Sequence, residues 1–167
     1  MKKAFALLLA LALALTMVAC GGAPASTPAS GSASTPAASV GTTEGDAEYA
    51  VVLKVLSSQF WQSMRDGIEA KAEELGIKVD IYAANTEDDV EGQVSLLENA
   101  ISKGYKAIGV APISNVNLNN AIADATAKGI KIVNIDERVD MDALAELGGA
   151  CCAYVATDNV KVGQMGA

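Results

Sequence analysis

Six side chains, grouped at two places in the chain, carry chemistry suited to a polyhydroxylated ring. Lys54, Ser58, Phe60 and Trp61 fall within "LKVLSSQFWQSMRDG", and Asp136 and Glu137 follow an apolar run much later. The chain has two Phe and one Trp. Phe5 lies in the N-terminal apolar run, so Phe60 and Trp61 stand together as an aromatic pair behind a polar Ser-Ser-Gln. A flat aromatic face suits the C–H face of a pyranose, and a few aimed polar groups suit its rim of hydroxyls. Lys54 interrupts the end of one apolar run and Asp136 closes another. Ammonium and carboxylate make charge-assisted hydrogen bonds to hydroxyls, and one carboxylate accepts from two neighbouring hydroxyls. Plainer readings stand beside these. Phe60 fits an inward helical stripe, with Trp61 one position off it and near the rim. Lys54 has a lesser reading as a solvated strand end, and Asp136 one as a turn residue or cap. Ser58 and Glu137 are evenly balanced between the two kinds of role.

Other chemistries are poorly supplied. With no His, the Ser-His-Asp and Cys-His nucleophilic arrangements and histidine metal ligands are absent. Cys20, Cys151 and Cys152 show no CxxC spacing, and neither GxGxxG nor GxxxxGK[ST] occurs. No metal and no cofactor is expected, and an enzyme is not the expectation. The formal net charge of −8 argues against nucleic acid, which needs a basic footprint.

The elements that must position the six residues alternate regularly. "EYAVVLKVL" predicts a strand over 49–55. Phe60, Met64, Ile68, Ala72 and Leu75 then mark one face of a helix that Gly76 ends. "IKVDIYA" is a second strand, and Val90, Val94, Leu97 and Ile101 mark a second helix stopped by Gly104. "KAIGVAP" is a third strand, and a helix over 116–128 turns Leu118, Ala121, Ile122 and Ala125 inward. "IKIVNID" is a fourth, followed by a short helix over 141–147, a strand through "CCAYVAT" and a last helix with Asp158 as N-cap. This order predicts an α/β fold, a doubly wound parallel sheet with helices on both faces. Ligands of such sheets sit beyond the carboxyl ends of the strands, near the switch in strand order. The stretches leaving strands there are 54–61, 84–88, 112–115 and 136–138.

Upstream, Lys2 and Lys3 precede an apolar run and then "TMVACGG", the order of a secretory signal peptide over 1–19. That ending resembles the lipobox of bacterial lipoproteins, in which the Cys thiol is lipidated and becomes the first residue, here Cys20. Met17 stands where Leu is usual. Cleavage removes two lysines and takes the net charge from −8 to −10. Residues 20–47, rich in Gly, Ala, Ser, Thr and Pro, show no apolar periodicity and read as a flexible tether. The expected location is extracytoplasmic, held to the bacterial membrane by lipid on Cys20.

Three segments together, "YAVVLKVLSSQFWQSMRDGIEAKAEELGIKVDIYA", "APISNVNLNNAIADATAKGIKIVNIDERVDMDAL" and "TDNVKVGQMGA", resemble the first lobe of the type I periplasmic sugar-binding proteins, in their allose and ribose branch. The resemblance runs over 48–167. It implies a monosaccharide ligand and, as partner, the membrane subunits of an ABC permease. A sensor presenting its ligand to a membrane receptor is the alternative. It also implies that Lys54 contacts sugar, that Phe60 and Trp61 flank the ring, that Asp136 grips two hydroxyls and that Glu137 is the acidic choice of allose-type members. Ser58-Gln59 replaces the usual Asn-Pro, so Ser58 would contact sugar with a shorter donor. Cys151-Cys152 replaces polar residues and is expected as two small buried side chains, the alternative being a vicinal disulfide. The family has two lobes, so the chain reads as the first of them, truncated within the helix after Asp158.

Overall fold

Runs of β-branched and apolar residues build the sheet, and the computed structural model describes residues 39–40 and 47–166. Its strands are β1 (Ser39–Val40), β2 (Tyr49–Leu53), β3 (Val79–Ala83), β4 (Ala107–Val110), β5 (Lys131–Ile135) and β6 (Ala153–Val155). The helices are α1 (Gln59–Leu75), α2 (Val90–Lys103), α3 (Asn119–Ala127), α4 (Met141–Glu146) and α5 (Asn159–Gly166). Strand order is β1-β3-β2-β4-β5-β6. From β3 to β6 all neighbours are parallel, and β1 alone runs antiparallel, Ser39 opposite Tyr82. The doubly wound expectation therefore holds. The signal peptide over 1–19, Cys20 and most of 20–47 lie outside the described residues. Within that last segment, Ser39–Val40 pairs with β3 where a tether had been expected.

The two faces follow from handedness. After β2 the chain steps to β3 on one side, and after β3 it crosses back over β2 to β4 on the other. Right-handed crossovers then put the first helix on one face and the next ones on the opposite face. Residues along β2 alternate accordingly. Ala50 and Val52 join the cluster made with Leu97 and Ile101 of α2, Ile122 of α3 and Leu144 of α4. Val51 and Leu53 join the cluster containing Trp61, with Met64 and Ile68 of α1 packed against it. Leu118, Ala121, Ile122 and Ala125 are all buried, as their spacing predicts. Helix α1 ends where Gly76 turns left-handed, φ 64°, a conformation open to a residue without Cβ. Asp158 accepts from the Lys161 N–H at 3.0 Å and caps α5.

Three expectations about packing are corrected. Trp61 is buried at 4% exposure, whereas Phe60 is 50% exposed, the reverse of the rim and core positions read from the stripe. Helix α1 starts at Gln59, so Phe60 sits in a first turn that projects past the strand ends, while Trp61 joins Met64, Ile68 and Ala72 at spacings of three and four. Leu75, at the other end of the same helix, is exposed for the matching reason. Cys151 and Cys152 are free thiols, the first half-buried against the core and the second exposed. They precede an edge strand, so only one of the two successive side chains can face the core.

Candidate functional site

The order reverses at β2, which pairs with β3 on one side and β4 on the other. Chain leaving β2 and chain leaving β5 meet at the carboxyl edge. Lys54 follows the last residue of β2, and its Nζ lies 4.0 Å from Asp136 Oδ2, one residue beyond β5. Their side chains are 17% and 36% exposed, so the Lys54 side chain is the more enclosed of the two while Asp136 keeps access to solvent. The same ammonium stands 5.7 Å from the centre of the Trp61 ring, within cation–π range. Trp61 in turn meets Phe60 edge to face, centroids 4.9 Å apart at 83°. A buried indole thus backs both a cation and an exposed phenyl ring. Ser58 occupies the N-cap position of α1, but its side chain makes no cap hydrogen bond. Ser58 is half-buried, two residues before the aromatic pair in sequence. Glu137 is exposed, and its backbone carbonyl accepts from Asn134. The edge therefore assembles Lys54, Phe60, Trp61 and Asp136 by direct contact, with Ser58 and Glu137 as sequence neighbours of that group.

One of the other two edge loops closes on itself. In the loop before α2, the Asp89 carboxylate accepts from Gly92 N–H and from the Asn85 amide, and Thr86 donates to Asp88 at 2.6 Å. The Thr86 hydroxyl holds the Asp88 carboxyl below the usual carboxylate range. These acids serve the turn.

Four residues that the sequence did not single out shape this edge. Gln93 of α2 is fully buried. Its amide nitrogen donates to Ala111 O at 2.9 Å and reaches Leu53 O at 3.4 Å. Its carbonyl accepts from Ile113 N–H and from Asn117 Nδ2, both at 2.9 Å. One side chain thereby fixes the ends of β2 and β4 at the switch point. Asn134, 1% exposed, spans the turn after β5: its amide donates to Glu137 O at 2.7 Å and its carbonyl accepts from Val139 N–H at 3.0 Å. Tyr154 O–H donates to Asp136 O at 2.8 Å, and the Arg138 guanidinium lies 4.0 Å from the Tyr154 ring centre. No local pattern marks these four, because each acts on a partner distant in sequence or on backbone atoms.

The opposite edge carries a different polar group. Asp80, 5% exposed, accepts from Tyr105 O–H, Tyr105 and Tyr82 share a 2.7 Å hydrogen bond, and Lys103 reaches Tyr82 at 3.0 Å. Surface hollows lined by Ile130, Ala150 and Cys151, and by Ala72, Ile77 and Ile81, also lie toward the amino ends of strands. Among the described residues no three His, Cys, Asp or Glu side chains are placed to hold a metal.

The periplasmic binding protein domain matches residues 49–167. The D-allose-binding periplasmic protein of Escherichia coli K12 is 52% identical over 121 residues, 72% of this chain and 39% of that protein. The ribose import binding protein RbsB of Bacillus subtilis 168 is 33% identical over 122 residues, 72% of this chain and 37% of that protein. Among solved structures, an ABC transporter periplasmic solute binding protein from Actinobacillus succinogenes 130z, with bound D-allose, aligns at a TM-score of 0.62 and 35% identity. That alignment covers 66% of this chain and 38% of the other. A carbohydrate transporter solute binding protein from Agrobacterium radiobacter, in complex with D-arabinose, aligns at 0.61 and 29% identity, covering 74% and 39%. The chain thus spans under two-fifths of the length of these relatives.

Proposed function

Since the chain belongs to the periplasmic binding protein domain family, we propose that it serves as the sugar-binding component of an ABC-type monosaccharide importer, with an allose- or ribose-like ligand. The observation that carries this is the meeting of Lys54 and Asp136, 4.0 Å apart, at the strand-order switch, with Trp61 linking the Lys54 ammonium to the exposed ring of Phe60. The ring offers a face for sugar C–H groups. The ion pair offers donors and acceptors for adjacent hydroxyls, each held ready by the other's charge. Ser58 and Glu137 complete the rim, and Trp61 supports the site from beneath. A binding role, with no bond made or broken, needs nothing further from these groups. Lipidation at Cys20 would place the domain outside the cytoplasmic membrane next to its permease. Two or more acyl chains hold a protein on a bilayer where one is marginal.

The test is a titration of D-allose, D-ribose and D-galactose into the isotope-labelled chain, followed by NMR. The described edge covers one side of a bound ring, so binding by these residues alone is expected near the millimolar range, about −4 kcal/mol. Shifts should concentrate at residues 54–61 and 136–138. Asp136→Asn should abolish them, because an amide offers one acceptor and a misplaced donor, and Glu137→Gln should weaken them less. Shifts confined to the amino ends of the strands, or none with any of the three sugars at about a hundred times that range of concentration, would refute the reading.

A further inference from the structure

Asp136 is the one non-glycine residue with positive φ among the described residues, at 61°. A left-handed conformation is costly for most L-residues, and Asp is among the few that adopt it singly. Such a conformation persists where its surroundings over-determine it. Here they do so from two directions. From β6, Val155 O accepts the Asp136 N–H at 2.8 Å, and Tyr154 O–H donates to the Asp136 carbonyl at 2.8 Å. Both sides of residue 136 are therefore tied to the same neighbouring strand, in which Tyr154 stands opposite Asn134. From within the turn, Asn134 braces Glu137 and Val139. Arg138 leaves the turn and returns over the Tyr154 ring at 4.0 Å, holding the phenol in place.

We propose that Tyr154 is a positioning residue: its hydroxyl locks the left-handed turn that aims the Asp136 carboxylate at Lys54 and at ligand. The amide tie to Val155 belongs to the peptide before Asp136 and the phenol tie to the peptide after it. Only the two together fix both backbone torsions. Without the phenol tie the following peptide can rotate, and Asp136 can relax toward the extended region, carrying its carboxylate away from the 4.0 Å approach to Lys54. Tyr154 touches no ligand in this scheme, and its consequence for affinity rests on the sugar-binding reading above.

Amide hydrogen exchange in the full chain tests it. Tyr154→Phe keeps the ring under Arg138 and removes only the hydroxyl. Exchange at the Asp136 amide should accelerate about five- to tenfold, the scale of one neutral hydrogen bond. The Val133 and Ile135 amides in β5 should stay within about twofold, since a local opening leaves the rest of the ladder closed. Arg138→Met, which frees the ring but leaves the hydroxyl, should accelerate the same amide less. Uniform acceleration across β5 would reduce Tyr154 to general packing and overturn the proposal. So would an unchanged Asp136 amide, or a larger effect from Arg138→Met. Where the wild type shows sugar shifts, Tyr154→Phe should weaken them severalfold. If it binds no sugar, the functional reading fails while the exchange result still decides the role of Tyr154.

Discussion

Gln93→Leu should cost about 2–6 kcal/mol of folding stability without changing the shape of the core. Leucine nearly matches glutamine in size, so the transfer and cavity contributions are small and the loss is one of hydrogen bonding. The Ala111 carbonyl belongs to a fully buried residue and would be left without its 2.9 Å partner. An orphaned buried group of that kind costs about 1–3 kcal/mol. The Ile113 N–H and the Asn117 amide are part-buried, so water reaches them and each loses about 0.5–1.5 kcal/mol. The 3.4 Å contact to Leu53 O adds little. Against a total stability of about 5–15 kcal/mol, typical for a domain, the loss is large. Urea unfolding followed by the far-ultraviolet circular dichroism signal measures it, and the denaturant slope should stay constant because the surface exposed on unfolding is unchanged. A loss below about 1 kcal/mol at constant slope would refute the idea that Gln93 clamps the ends of β2 and β4.

The remaining expectations are brief. Trp61→Ala should destabilise by about 3–5 kcal/mol, as removal of a buried indole does, whereas Phe60→Ala should stay within about 1 kcal/mol yet weaken sugar shifts; thermal melts and titration separate the two. Burial, with hydrogen bonds to Asp80 and Tyr82, holds the Tyr105 phenol neutral well above its usual range. The unfolded phenol ionises near pH 10, so this contribution is full below about pH 10 and is lost as pH rises further. Tyr105→Phe should flatten that alkaline decline in urea titrations at successive pH values. Cys20→Ser should leave the precursor uncleaved and unlipidated, and mass spectrometry of the membrane fraction would show a free, differently cleaved N-terminus if that is wrong.

The strands from β2 to β6, the helices and their two-faced arrangement were legible because each rests on local pattern plus a handedness rule. Leu118, Ile122 and Ala125 show this: their spacing alone places them inside. The exchange of Phe60 and Trp61 shows the limit. Stripes 60-64-68-72 and 61-64-68-72 both satisfy helical spacing, and only the start of α1 relative to the sheet edge chooses between them. Lys54 and Asp136 were legible as polar interruptions at the ends of apolar runs. Gln93 and Tyr154 were not, because their worth lies in backbone atoms 18 or more residues away, 18 for Tyr154 to Asp136 and for Gln93 to Ala111. Polar residues in otherwise ordinary surroundings give no local sign of such partners.

The left-handed turn at Asp136 also restricts which sequences can evolve or be designed at this position. Glycine and asparagine fit the backbone, but the first has no side chain to grip with and the second no charge. Glutamate keeps the charge and adds reach, yet it lacks the short side chain that lets Asp tolerate this conformation. On the proposed sugar-binding reading, drift in ligand preference would be steered away from Asp136 and toward Glu137, which is exposed and whose φ is not positive. Two adjacent acids thus differ in evolvability: one is held by the chain geometry, and the other is open to selection. A library built to change sugar preference should randomise Glu137 fully and leave Asp136 alone.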